Sequence, residues 1–386
     1  MLLTFIFFAA AFIVLYHLIV YPVAIVLLSS FVKEKHPHGF PDNELPTVAL
    51  LISARNEEKF IASKLENSLQ LDYPREKLRI IVLANGCTDQ TAEITRDFAD
   101  RGIELFEFGE IGKVKSQNEG VSRIDNDIVV FSDANTPYNQ EAIRQLAKHF
   151  SDEKVAVVAG KHTYVNLDQA TGATEAAYWH NVENTLKKAE SKLGALLGAM
   201  GSIYAVRRKL YIPLPSGEIT EDMFGPLLIA AKGYRIVYEP RAVAMEKAEA
   251  TFAKEYARKE MVIHRVASTV FFHYPWMLNP FRTGRIAIAL WSHKVFRWFT
   301  PALLMLMVAI SLFRLATGKG ARRDWAVFIF STFFGFLATL GRGLGMDKPI
   351  PGLSHSWYLL MMFRAATVGL YKAIIKGGVA VWDHQR

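Results

Sequence analysis

Residues 47–58 read TVALLISARNEE. Thr47–Ser53 is almost continuously apolar, without the alternation of a half-exposed strand, and it breaks abruptly into Arg55, Asn56, Glu57 and Glu58. An unbroken apolar run of this length suits a strand covered on both faces, as in a parallel sheet. The same sentence is repeated downstream: Arg79–Ala84 (RIIVLA), Asp127–Phe131 (DIVVF) and Val155–Ala159 (VAVVA) read as further buried strands. Between them Glu57–Leu69, Thr91–Ala99, Gln117–Arg123 and Gln140–Phe150 read as helices. Strands alternating with helices imply βαβ units and an α/β fold with a mostly parallel sheet. In such a sheet ligands sit beyond the carboxyl ends of the strands, which is where the polar clusters fall.

The flanks differ in kind. The chain has 386 residues, is 51% hydrophobic and carries a formal charge of +8; its mean hydropathy is +0.15. Residues 1–32 are nearly all apolar, long enough to cross a bilayer in about 20 residues. No Lys or Arg precedes Lys33, so a retained anchor is expected rather than a cleaved signal peptide. Lys33 and Lys35 follow the span and place the middle of the chain in the cytoplasm of a multi-pass protein of the cell membrane. Residues 33–46, with Pro37, Pro41 and Pro46, read as a linker; 47–270 as the globular domain; 271–299 as interfacial helices; and 300–386 as a membrane region of two or three spans. The spans are Thr300–Ala316, Trp325–Gly341 and a third stretch, Ser356–Ile375, which carries Arg364 and Lys372 and is either a span with its charges facing protein or a surface helix. The loop between the first two holds Lys319, Arg322 and Arg323, against the positive-inside bias.

These features exclude a purely soluble protein and a fully embedded transporter. The single cysteine, Cys87, forbids an intrachain disulfide and reads as a small residue in a turn. No nucleic-acid module and no zinc spacing is present, so nucleic acid is not an expected partner. The positive charge suits phosphates or an anionic lipid surface.

Five polar clusters carry the chemistry. Ala54, Arg55 and Glu57 follow the first strand, where nucleotide contacts or a helix cap are expected. Asn85, in NGCTDQT (85–91), either contacts a base or ribose or shapes a turn. Lys113, after Gly112, places a point charge near a phosphate or lies solvated. Asp133 and Asn135, in SDANT (132–136), offer two oxygen ligands to Mg²⁺ or Mn²⁺, which also takes diphosphate oxygens and water. Glu221 and Asp222, in Thr220-Glu221-Asp222, are either N-terminal helix carboxylates or a general base. Arg258, Lys259 and Arg265 follow on a helical stretch, against an anionic leaving group or lipid headgroups.

Taken in order, SARNEE (53–58), NGCTDQT, GK (112–113) with Asn118, SDANT, GAMGSIYAVRR (198–208) and TED (220–222) resemble the family 2 glycosyltransferases, in particular the membrane-anchored group related to cellulose and hyaluronan synthases. The resemblance covers about residues 46–270. It implies a GT-A fold, an inverting displacement on a nucleotide-diphosphate sugar, usually UDP-linked, and a divalent metal. It implies Asp133 and Asn135 as the metal motif, with Asn135 replacing a second carboxylate. It further implies Asn85 at the base-contacting turn, Lys113 beside the diphosphate or base, Asp222 as catalytic base, and Gly201 and Ser202 on the acceptor side. Arg258 and Arg265 match the region where processive synthases carry Gln-x-x-Arg-Trp; the tryptophan is missing here, which tilts the reading toward single addition or short products. Trp382 and Arg386 resemble a Trp-x-x-x-Arg ending of relatives. The expected acceptor is lipid-linked or a saccharide, and a homo-oligomer is open. The alternatives are a processive polysaccharide synthase that exports its polymer and a non-catalytic nucleotide-sugar-binding membrane protein.

Overall fold

A computed structural model describes residues 1–33, 37–168, 170–178, 182–215, 219–249, 251–344, 350 and 352–376. Lys35, Trp382 and Arg386 lie outside the described residues. The chain divides into two units, one of residues 29–163 and 183–246, the other of 1–28, 164–182 and 247–380.

The first unit is built on seven strands: β1 (Val48–Ala54), β2 (Leu78–Asn85), β3 (Ile103–Phe108), β4 (Ile128–Asp133), β5 (Val155–Tyr164), β6 (Ile203–Arg207) and β7 (Arg235–Glu246). Their order is β3-β2-β1-β4-β6-β5-β7. The apolar runs form the buried middle, as expected: Val48 to Ile52 and Ile80 to Leu83 are wholly inaccessible. Each Val, Leu or Ile among them contributes about 1.5–3 kcal/mol by leaving water. β1 pairs in parallel with β2 and β4, and β2 with β3. The register aligns Ala54 with Ala84 and Ser53 with Asp133, so the carboxyl ends of the three strands share one edge. β4 pairs antiparallel with β6, Ser132 opposite Ile203. That reversal delivers the residues just before β6, including Gly201 and Ser202, to the same edge.

Helices cover both faces. Ile61–Leu69 turns Ile61, Lys64, Leu65 and Ser68 inward. Lys113–Ser122 approaches the sheet closely at Gly120, where a Cβ would stand 2.9 Å from a Leu83 methyl. Helix limits differ from expectation at the start. The first helix begins at Ile61 rather than Glu57, because Asn56 takes a left-handed conformation (φ 55°) and Glu57–Phe60 forms a turn. The fourth begins at Ala142 and the third extends back to Lys113.

Among the described residues four helices are long and apolar enough to cross a membrane: Leu2–Ser30, Arg285–Ala316, Arg322–Gly343 and Leu353–Ile375. The segment expected to be an interfacial helix before Thr300 instead runs on as one helix with the span, through the π-helical turn Leu290–Val295. Facing it, Tyr16–Val20 is also π-helical. The Tyr16 hydroxyl meets Ser292 Oγ at 2.8 Å and His17 Nδ1 lies 3.0 Å from the Ser292 carbonyl. Polar groups inside such helices are thereby given partners. Buried Asp324, at the start of Arg322–Gly343, accepts from Arg314 Nε at 3.1 Å and from the Ala321 amide at 2.7 Å. Phe252–Ser268 packs along Leu353–Lys376. There Lys372 is ion-paired to Glu260, and the Arg364 guanidinium lies 5.2 Å from the Tyr256 ring centre. Both charges of the last apolar helix thus meet side chains of Phe252–Ser268, while Arg364 stays exposed.

Candidate active site

The site lies at the carboxyl edge of the sheet. Asp133 ends β4, and one of its oxygens accepts from Lys113 Nζ at 2.8 Å. Lys113 opens the helix Lys113–Ser122, and its ammonium also stands 3.1 Å from Glu221 Oε1. Burial works against the charge on Lys113, but Asp133, Glu221 and Asp222 outweigh it and hold the ammonium well above its usual range. Glu221 and Asp222 open the helix Glu221–Ala230, with Thr220 as its N-cap. Asp222 is fixed by two turns of chain. Its side chain accepts from the Gly201 amide at 2.7 Å, and its carbonyl from the Ala199 amide at 2.7 Å. Gly198 permits that approach: at φ 100° its backbone lies where a Cβ would stand 2.7 Å from Met223 Cα. Burial and the adjacent Glu221 carboxylate push the Asp222 carboxyl up to about 6, while Lys113 and the Gly201 amide pull the other way. A carboxylate poised near neutrality beside a lysine is a group that can take and release a proton.

The neighbouring loops are tied together by their own side chains. Asn85, at the end of β2, is buried; its carbonyl oxygen accepts from the Ile111 and Gly112 amides at 2.9 and 3.0 Å. It therefore shapes the loop that delivers Lys113 and keeps only its NH₂ group for other contacts. Ala54 ends β1 and accepts from Cys87 Sγ at 3.6 Å. Burial pushes the Cys87 thiol up, which suits the turn residue expected and not a thiolate. Arg55 pairs with Glu110 at 2.6 Å. The Glu57 amide donates to Thr91 Oγ1 at 2.8 Å, and Asp89 caps the start of the helix Thr91–Arg96 through the Thr91 amide at 3.0 Å.

The structure thus brings together Lys113, Asp133, Gly201, Glu221 and Asp222; Ala54 and Asn85 end β1 and β2, and Arg55, Glu57 and Asn135 follow the ends of β1 and β4 at the same edge of the sheet. Ser202 is different. It is 4% exposed, its hydroxyl meeting His162 Nδ1 at 3.2 Å, so it faces the interior rather than an acceptor. Arg258 and Arg265 lie on Phe252–Ser268 of the other unit, where Arg258 donates to Glu255 at 2.7 Å and to the Tyr164 hydroxyl at 3.0 Å. Arg265 is buried there.

Two residues were hidden from sequence reasoning. Lys64 is 1% exposed, and burial pulls its ammonium down to about 7 against the raising effect of Asp133. Tyr138, beneath it, is equally buried. The available signal was position: Lys64 interrupts the apolar face of a helix between Ile61, Leu65 and Ser68. As a cation site, Asp133 and Asn135 would supply one carboxylate and one amide oxygen, hard ligands suited to Mg²⁺ or Mn²⁺. Among the described residues no group of three or more His, Cys, Asp or Glu side chains stands ready to hold an ion. The set fits a cation that arrives with, and is largely ligated by, a phosphorylated ligand.

A mostly parallel, doubly covered sheet with this edge is the architecture of GT-A glycosyltransferases. A mannosyltransferase from Pyrobaculum calidifontis, solved in complex with GDP-Man and Mn²⁺, superposes with a TM-score of 0.69 over 96% of this chain and 99% of that one, at 20% identity. The model of the family described as glycosyltransferase like family 2 matches residues 46–261. The chain belongs to that family and is a glycosyltransferase. Poly-beta-1,6-N-acetyl-D-glucosamine synthase of Staphylococcus aureus (strain COL) is 27% identical over 207 residues, 52% of this chain and 50% of that protein. A Bacillus subtilis (strain 168) protein named "Probable glycosyltransferase YdaM" is 27% identical over 224 residues, 54% of this chain and 52% of that one. The chain spans about half the length of these curated relatives.

Proposed function

We propose that the protein is an inverting, membrane-bound glycosyltransferase that moves a sugar from a nucleotide-diphosphate donor to a lipid-linked or saccharide acceptor. The observation that carries this reading is the meeting of Asp133, Lys113, Gly201 and Asp222 at one sheet edge. Asp222 accepts the proton of the acceptor hydroxyl as that oxygen bonds to the anomeric carbon and the bond from carbon to diphosphate breaks. A positioned base contributes about 10²–10⁴-fold in rate. The Gly201 amide orients Asp222, Lys113 holds positive charge toward the departing diphosphate, and Asp133 with Asn135 would hold the divalent cation. When bound, that cation supplies Lewis-acid stabilisation of charge on the diphosphate. Asn85, Arg55, Glu57 and Ala54 line the side on which the nucleoside enters. Mn²⁺ and GDP-Man in the mannosyltransferase support a metal and a nucleotide-sugar donor generally; UDP is the expectation that the family resemblance adds.

The catalytic unit is proposed to lie in the cytoplasm, anchored by Leu2–Ser30, with the chain in the cell membrane. A second reading, a processive polysaccharide synthase, is favoured by the names of the Staphylococcus relatives over the catalytic half. Purified protein in lipid, given a panel of nucleotide sugars, Mg²⁺ or Mn²⁺ and lipid extract, is expected to release one nucleoside diphosphate donor-specifically. Long products identify the synthase, single-sugar lipid products the single-addition enzyme. Donor binding without release from any sugar would overturn catalysis.

A further inference from the structure

Lys64 is 1% exposed and stands, among the described residues, with the largest buried side chains. Burying an ammonium is costly unless its protons find partners. Its Nζ donates to the Thr136 carbonyl at 2.6 Å and lies 3.7 Å from the centre of the Tyr138 ring. Both partners belong to the turn that carries Asp133 and Asn135. Thr136 is fully buried, and its hydroxyl closes back on the Asp133 carbonyl at 3.0 Å. Tyr138 leads onward: its hydroxyl donates to the Ser202 carbonyl at 2.7 Å, with the Phe131 carbonyl 3.2 Å away. Ser202 follows Gly201, whose amide holds Asp222.

A plain staple between helix and loop would not need a charge. Asn67, on the same helix, already makes that staple, with its side chain on the Tyr138 amide at 2.8 Å and on the Tyr138 carbonyl at 2.9 Å. An apolar residue at 64 would fill the space without stripping water from an ammonium. We infer that Lys64 is a positioning residue: through the Thr136 carbonyl and the Tyr138 ring it sets the turn that presents Asp133 and Asn135, and through Tyr138 it links that turn to the strand start that holds Asp222. This rests on the reading of the site given above.

The test is Mn²⁺ binding, alone and with UDP or GDP, followed by electron paramagnetic resonance on the full chain in lipid, with thermal stability alongside. Lys64→Met is expected to weaken Mn²⁺–nucleotide binding about tenfold and to raise the metal KM, with kcat at saturating metal within threefold. Leu65→Ala, a core truncation on the same helix, is expected to lower stability while leaving Mn²⁺ affinity within twofold. Tyr138→Phe keeps the ring and the Thr136 bond but cuts the link to Ser202, and is expected to lower kcat about tenfold with Mn²⁺ affinity unchanged. Lys64→Met binding within twofold of wild type, Leu65→Ala weakening binding as much as Lys64→Met, or Tyr138→Phe with unchanged kcat would each overturn the inference. Wild type that binds neither Mn²⁺ nor nucleotide would overturn the reading of the site itself.

Discussion

Replacing Glu221 with glutamine should move the pH dependence of the reaction in a defined direction. Burial and the Glu221 charge push Asp222 up to about 6. The base form is the carboxylate, so kcat/KM should rise with pH through that region. About a tenth of the sites are competent one unit below the apparent pKa and about nine-tenths one unit above it. Glu221→Gln keeps the side-chain shape and removes a like charge, so the Asp222 carboxylate forms more easily and the limb moves to lower pH. Two carboxylates about 4 Å apart interact by roughly 4 kcal/mol at an effective dielectric of 20. Lys113, ion-paired to Glu221 at 3.1 Å, offsets much of this. A shift of about one unit, near 1.4 kcal/mol, is therefore expected. The assay is nucleoside diphosphate release in lipid between pH 5 and 9 at saturating metal, wild type beside Glu221→Gln. A bound cation lowers both limbs together, so their difference is the diagnostic quantity. An unmoved limb, or one moved to higher pH, would refute the electrostatic account of Asp222.

Gly198→Ala puts a Cβ against Met223 Cα at 2.7 Å and strains a backbone at φ 100°; a loss of about 1–3 kcal/mol is expected in thermal unfolding, with activity falling as Asp222 shifts. Asn85→Ala leaves the Ile111 and Gly112 amides without their acceptor; the donor KM should rise about tenfold while the acceptor KM stays within twofold, since only the Lys113 loop is loosened. Burial would raise Glu239, but His149, Arg241 and Lys148 outweigh it and hold the carboxyl far below its usual range. A depressed folded-state pKa contributes stability that is full above the unfolded value and is lost as pH falls below about 4. Glu239→Gln should therefore be less stable than wild type at pH 7 and show a flatter decline in Tm between pH 5 and 3.

The sheet's centre was legible because burial on both faces leaves its mark in composition: the runs at 48–53, 79–84 and 128–131 could hardly be anything else. β3 (IELFEF) escaped because it is an edge strand, half exposed, whose Glu104 and Glu107 dilute the apolar signal. β6 escaped because an antiparallel return strand leaves no βαβ rhythm to read, and β7 because exposed Pro240 and Arg241 interrupt its apolar pattern. The order of polar clusters pointed to the right edge of the sheet, since strand ends are where a parallel fold must put its loops. Side-chain assignments inside that edge were less legible. Ser202 looked available and faces inward, and of the two readings of Asn85 the turn-shaping one accounts for its oxygen, which two amides occupy. Lys64 could not be distinguished from a solvated lysine until the partner 72 positions away was known. The membrane helices were visible by length and apolarity. The continuity of 285–316 was not, because the arginines and histidine in its first half suggest an interface rather than one long helix.

Asp222 is the residue on which the proposed transfer depends most directly. Asp222→Asn preserves the size of the side chain and an oxygen to accept the Gly201 amide, so the donor should still bind with a KM within about threefold of wild type. Single-turnover release of nucleoside diphosphate at saturating donor, metal and acceptor should fall by about 10²–10⁴-fold. A rate within tenfold of wild type would contradict the assignment of Asp222 as the base and, with it, the mechanism drawn from this site.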